Sequence, residues 1–201
     1  MKHAAVLLTG GFSRRMGSDK ALLPWRGSVL LDHQADILRA TEAAELILAC
    51  RSDQSFALPD FRKVTDAVPG AGPMAALADI WTGTTAEILL VLAVDMPFVP
   101  AARLRELAGL ADRGGCTVVT NGDGRYEPLA AAWHRSCLPA MRRALAAGQR
   151  SIQPLCTELL AAGLLRPVAS GDAAPGCLAN LNRPDDLVHS AHAASPSHET
   201  H

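Results

Sequence analysis

The chain has 201 residues, of which 49% are apolar and 19% charged, with a formal net charge of −1. That is the size of one domain, with about 70% of the unfolded chain's surface open to burial, and the composition excludes a mainly disordered, collagen-like or disulfide-scaffold chain. The near-neutral charge disfavours a general nucleic-acid binder, which relies on phosphate neutralisation.

In chain order, the first apolar run is Ala4–Thr9, which breaks at Gly10-Gly11. It is too short for a secretory signal, and the Arg14-Arg15 pair is followed by polar residues, so neither a Sec nor a Tat leader fits. Residues 29–40 place Leu30, Leu31, Ala35 and Leu38 at helical spacing. A second apolar run, Leu46–Cys50, ends at Arg51, and a third, Val64–Thr65, ends at Asp66. Pro73 opens a helix over 73–81 after a Gly/Pro-rich loop. The most apolar run, Ile88–Val94, stops at Asp95 and falls far short of the roughly 20 residues that span a bilayer. A helix over 100–110 follows, with Leu104, Leu107 and Leu110 on one face. Strand alternating with helix implies βαβ units in a mostly parallel sheet covered on both faces.

The second half reads differently. Cys116–Thr120 and Tyr126–Trp133 flank Asn121-Gly122-Asp123-Gly124, a strong turn signal, which predicts an added β-hairpin. Helices are expected over 138–147 and 152–160, stopped by Gly148 and Gly163. Asn180-Leu181-Asn182-Arg183-Pro184 predicts a turn before a last helix from Asp185. We therefore expect one domain over 1–188, then a polar tail over 189–201 that holds four of the seven histidines. The five cysteines are far apart and odd in number, which suits scattered thiols in a cytoplasmic protein.

In open α/β sheets, ligands bind outside the carboxyl ends of the strands. Gly10-Gly11, Arg51, Asp66 and Asp95 all fall there. The loop from Gly10 to Lys20 is neither a G-x-G-x-x-G nor a Walker A motif, because Ser18 follows Gly17. It nevertheless has the chemistry of a polyphosphate cradle: glycines admit backbone N–H groups, and Arg14, Arg15 and Lys20 neutralise phosphoryl oxygens. Residues 1–30 carry five Lys/Arg against one Asp, whereas the remainder carries 14 against 19. Lys20 is one of only three lysines against 16 arginines, and a compact ammonium can follow a phosphate as a point charge. Asp95 sits at the mouth of a buried strand, and one carboxylate together with substrate phosphates can hold Mg²⁺. Asn180 and Asn182 read equally as helix-start caps and as ligand contacts.

Residues Leu8 to Lys20 resemble the L-A-G-G-x-S-x-R-M-G-x-D-K signature of nucleotidyltransferases, most closely the molybdenum cofactor guanylyltransferases. The likeness continues through Pro69–Ala75, Val94–Pro97, Glu127-Pro128-Leu129 and Asn180–Pro184, and so spans about residues 4–188. Thr9 departs from the pattern's usual Ala, while Gly10-Gly11 favours guanine over cytosine, for which related enzymes read Ala-Gly.

The resemblance implies a single-domain, three-layer Rossmann-like nucleotidyltransferase fold that transfers GMP from GTP to the terminal phosphate of molybdopterin with Mg²⁺ as cofactor. Carried to this chain, it places Leu8, Thr9, Gly10, Gly11, Lys20, Cys50, Arg51, Asp66 and Asp95 around GTP, with Asp95 as the metal ligand. It makes Lys20, Asp95 and Arg15 the catalytic set and puts Gly72, Asn180 and Asn182 on the molybdopterin side. The implied partners are the two substrates and, transiently, molybdoenzymes or cofactor chaperones, with no nucleic acid and no membrane. Two alternatives are cytidylyl or other nucleotidyl transfer on the same fold, and a non-catalytic molybdopterin carrier.

Overall fold

The structure is a computed structural model that describes residues 2–10, 19–66, 68, 70–111, 114–120, 124–169 and 178–181. Its centre is a seven-stranded sheet built from β1 (His3–Leu8), β4 (Glu45–Cys50), β5 (Arg62–Thr65), β6 (Ile88–Ala93), β7 (Cys116–Thr120), β8 (Tyr126–His134) and β9 (Leu165–Ala169). The order across the sheet is β5-β4-β1-β6-β8-β7-β9. Every pairing is parallel except the two made by β8, so β8 alone runs against the other six strands. A separate two-stranded ribbon, β2 (Pro24–Trp25) with β3 (Ser28–Val29), leads into α1 (Leu30–Arg39). The other helices are α2 (Pro73–Ile80), α3 (Ala101–Ala111), α4 (Leu138–Ala146) and α5 (Ile152–Ala161).

The three layers follow from strand periodicity. Side chains alternate faces along a strand, so Ala4, Val6 and Leu8 of β1 enter a core cluster with α2, α4 and α5. Ala5 and Leu7 enter the opposite cluster with α1 and α3. All six residues of β6 are buried because it is covered on both faces: Leu89 and Val91 point one way, Ile88, Leu90 and Leu92 the other. At about 1.5–3 kcal/mol for each large side chain fully buried, this strand is a principal source of cohesion.

Each strand and helix expected from the sequence over residues 4–160 is present, with ends shifted by a residue or two. Two elements were not expected. The first, β9, pairs among the described residues with β7 alone and contains Pro167, which an edge strand tolerates although the residue lacks an N–H. The second is the β2–β3 ribbon, too short to give a periodic signal. The helix from Asp185 and the tail over 189–201 lie outside the described residues.

One expectation about the cysteines is corrected. Cys116 and Cys137 form a disulfide rather than standing as separate thiols. The sequence sets them 21 residues apart, but β8 folds back along β7 and returns the chain to where β7 began. Cys50 and Cys156 are free and buried, and Cys177 lies outside the described residues.

Candidate active site

The carboxyl ends of β4, β5, β1 and β6 are tied beyond their ladders. Thr9 N donates to Ala49 O at 3.0 Å, Asp66 N to Cys50 O at 3.0 Å and Val94 N to Leu8 O at 3.0 Å. The polar residues that follow each strand are therefore held at one rim. Below them lies a cavity of about 240 Å³ that draws Leu8, Thr9 and Gly10 from β1 and its loop, Lys20, Asp66 and Asp95. The first turn of α2 closes one side with Gly72, Pro73 and Ala76. Gly72 has φ 89°, a left-handed conformation that glycine adopts without steric cost, and Pro73 then starts the helix. A helix start at this wall adds partial positive charge toward the cavity.

Lys20 and Asp95, 75 residues apart, meet here. Lys20 Nζ donates to Asp95 Oδ2 at 2.8 Å, with 17% and 24% of the two side chains exposed. Lys20 belongs to a short 3₁₀ turn, Lys20–Leu22, capped by Asp19, whose Oδ1 accepts from Ala21 N at 3.1 Å. Asp19 Oδ2 is held in turn by Gln54 Nε2 at 2.6 Å and by Arg51 at 3.4 Å.

Gln54 is the buried hub of this corner. Its Oε1 accepts from Arg51 N at 2.9 Å, and its Nε2 also donates to Thr9 O at 3.3 Å. Thr9 Oγ1 shares its hydrogen between Gln54 Oε1 at 3.1 Å and Ala49 O at 3.0 Å. The hydroxyl that sets this chain apart from the usual Ala thus braces the scaffold, while Thr9 still lines the cavity. Asp95 is braced from behind. Fully buried Gln34 on α1 donates from Nε2 to Ala93 O at 2.8 Å, and His33 Nε2 lies 3.0 Å from Pro97 O. Leu181 N donates to Asp95 O at 2.8 Å, which docks the Asn180-Leu181 segment on the same turn.

Asp66 is half-buried, and burial pushes its carboxyl above the ordinary value of 3.8; Asp79 adds to the rise and Arg51 opposes it. A side chain on Gly10 would lie 3.6 Å from Asp66 Oδ2 and 3.9 Å from Arg51 Cγ, in ordinary contact. The glycine thus keeps the space between those two groups open.

Of the residues the sequence nominates, Leu8, Thr9, Gly10, Lys20, Asp66, Gly72 and Asp95 share this cavity. Asn180 lies in an adjoining cavity of about 370 Å³ that also includes Asp95 and Leu129. Cys50 and Arg51 do not line the first cavity. Cys50 is buried with its Sγ 3.9 Å from Val64 O, and burial pushes its thiol pKa up. Arg51 pairs with Asp53 at 2.9 Å as well as with Asp19. Gly11, Arg15 and Asn182 lie outside the described residues. The sequence reading missed Gln54 and Gln34 as braces, Asp19 as an anchor, and Ala49, Pro73, Ala76 and Leu129 as walls. Asp19 carried a signal through its place beside Lys20 in the glycine-rich motif, and Pro73 and Leu129 through the segments that resemble the family.

A three-layer α/β sheet that gathers a lysine–carboxylate pair in a cavity at its strand ends belongs to the doubly wound class, whose ligands bind at that edge. The chain belongs to the family of the MobA-like NTP transferase domain, whose model matches residues 5–162. A probable molybdenum cofactor guanylyltransferase of Opitutus terrae is 37% identical over 91% of this chain and 92% of its own length. A molybdenum cofactor guanylyltransferase of Pseudomonas putida is 30% identical over 90% and 94%. The crystal structure of molybdopterin-guanine dinucleotide biosynthesis protein A from Archaeoglobus fulgidus shares the fold with a TM-score of 0.76 at 21% identity, covering 94% of this chain and 97% of that one. Among the described residues, no helix is long and apolar enough to cross a membrane.

Proposed function

We propose that this chain transfers GMP from GTP to the terminal phosphate of molybdopterin, forming the guanine dinucleotide of the cofactor and releasing pyrophosphate. The observation that carries the reading is the 2.8 Å contact of Lys20 with Asp95 in one cavity at the strand ends. A phosphate-binding cation and a metal-capable carboxylate have to meet for this reaction, and the Lys20–Asp95 contact supports that reading. Gly10, which keeps the space beside Asp66 open, supports room for a purine edge, and the guanylyltransferase relatives support guanine as the base.

The acceptor phosphate attacks the α-phosphorus in line. The new P–O bond forms as the bond to the β-phosphate oxygen breaks, and that electron pair leaves with pyrophosphate. The nucleophile is already an anion, so positioning and charge neutralisation carry the rate rather than a strong base. Lys20 offsets the charge that gathers on the departing pyrophosphate. The first turn of α2 and the backbone of Leu8, Thr9 and Gly10 hold the nucleotide.

Asp95 offers one carboxylate, and no group of three or more metal-ligating His, Cys, Asp or Glu occurs among the described residues. That donor set suits Mg²⁺, which is bound through one or two carboxylates plus substrate phosphates. Held by Asp95, the ion would neutralise the phosphate oxygens and polarise the α-phosphoryl group.

The test is pyrophosphate release with Mg²⁺ and molybdopterin across GTP, CTP, ATP and UTP. Release that needs molybdopterin and is fastest with GTP is expected. Fastest release with CTP would reassign the base, and no release with any nucleotide, despite molybdopterin binding, would mark a carrier.

A further inference from the structure

The one reversed strand brings an unassigned carboxylate to the reaction rim. Because β8 runs against β6, it starts where β6 ends. The ladder between them pairs Leu92 with Ala130. Beyond that pair β6 turns away at Val94-Asp95, and Asp95 and Glu127 come to line the same cavity. On its other edge, β8 departs from register with β7. Val118 pairs with Ala131, but Val119 pairs with Glu127, so the intervening Pro128, Leu129 and Ala130 have no partners on β7. Such a bulge re-aims side chains, and Pro128, with no N–H to offer a ladder, suits it.

The bulge is rigid. Trp133, fully buried, donates from Nε1 to Pro128 O at 3.0 Å. Gln153 Nε2 on α5 donates to Tyr126 O at 2.7 Å. The backbone on both sides of Glu127 is therefore fixed, as a recognition side chain requires.

Glu127 lines the adjoining cavity of about 370 Å³, which meets the nucleotide cavity at Asp95 and Leu129. Met96, Pro128 and Ile152 supply apolar wall, and Arg125, Gln153 and Asn180 supply polar groups. The carboxylate is half-buried and, among the described residues, accepts no hydrogen bond from a side chain. Burial pushes its pKa up; Arg125 opposes the rise and Asp95 adds to it. A cavity that sets fixed polar groups against apolar wall can orient a small polar ring system.

We propose that Glu127 reads the acceptor, its carboxylate accepting the paired hydrogen bonds of the ring N–H and exocyclic amino group on an aminopyrimidinone edge, the edge that a pterin presents. An ionised carboxylate only accepts, and its two oxygens match two parallel donors. With the ring held there, the acceptor's phosphate reaches toward Asp95, where the two cavities join. This inference rests on molybdopterin being the acceptor.

The test is Glu127→Gln, which keeps size and turns one acceptor oxygen into a donor. Equilibrium binding of molybdopterin by titration calorimetry reads the contact with or without turnover, and steady-state pyrophosphate release reads KM and kcat. Molybdopterin affinity should fall roughly 10- to 100-fold, with KM for molybdopterin rising by the same factor. GTP affinity, kcat at saturating acceptor and the thermal midpoint should stay at wild-type values. Unchanged molybdopterin affinity would overturn the assignment. So would a fall in kcat with KM unchanged, or an equal loss of GTP affinity. A wild-type chain that binds molybdopterin through Glu127 yet transfers nothing would instead overturn the transfer reading and leave this contact standing.

Discussion

The two sides of the reaction rim are built by different means. The cavity that holds Lys20 and Asp95 takes its groups from parallel strands, each ending in a polar residue at the same edge. Topology alone brings Gly10, Asp66 and Asp95 together there, and hydrogen bonds between successive strand ends keep them in place. The adjoining cavity beside Glu127 depends on the reversed β8, on a bulge at Pro128 and on two side chains that pin it. The first side follows from the order of the elements. The second follows from a register that no local pattern specifies. Chemistry grafted on a parallel sheet can thus be traced from strand ends, whereas recognition on a reversed edge has to be traced from pairing.

Variants around the Lys20–Asp95 cavity sharpen this contrast. Asp95→Ala should give the largest effect, a loss of transfer of more than about 1,000-fold with the fold intact, because it removes the carboxylate where both cavities meet. Pyrophosphate release and circular dichroism check it. Lys20→Ala comes next, with kcat down about 100- to 1,000-fold, the cost of removing one preorganised charge from a developing anion. Its thermal midpoint should hardly move, since a partly exposed ion pair contributes little to stability. Gln54→Ala should cost about 1–3 kcal/mol in denaturant unfolding, because its loss strands partners at Thr9, Arg51 and Asp19. It should also raise KM for GTP.

The smallest effect is a pH effect. Burial raises the Asp66 pKa above 3.8, so between that value and the raised one the native state holds more protons than the unfolded state. Stability therefore falls as pH rises through this window, and the cost persists above it. Asp66→Asn should raise the thermal midpoint at pH 7, and the gain should vanish as pH drops below 3.8. The same variant should weaken GTP binding, as expected of a carboxylate kept in the cavity at a cost to stability.

Much of this was legible in the sequence. Apolar runs closed by Gly10, Asp66 and Asp95 locate the strand ends, and hence the cavity at that rim, because strand direction in βαβ units is fixed by topology. The Asn-Gly-Asp-Gly turn signal locates the β7–β8 pair. The short edge strand β9 could not be traced, since Pro167 and a mixed burial pattern hide it. Nor could the disulfide, which depends on the hairpin's return path. The family resemblance put Cys50 and Arg51 in the site, Arg51 also by its position just after β4. The alternation of the strand turns Cys50 into the core, and Asp19 and Asp53 draw the Arg51 guanidinium aside. Gln54 had no signal because its role arises from three partners distant in sequence.

The central claim is that Lys20 and Asp95 face one triphosphate with its metal ion. The direct measurement is a crystal structure with a non-hydrolysable GTP analogue and Mn²⁺ in place of Mg²⁺, read by anomalous scattering. The ion is expected at the Asp95 carboxylate, with Lys20 Nζ on a phosphate oxygen of the same nucleotide. A nucleotide bound at another rim, with the Lys20–Asp95 pair intact and no ion beside it, would contradict it.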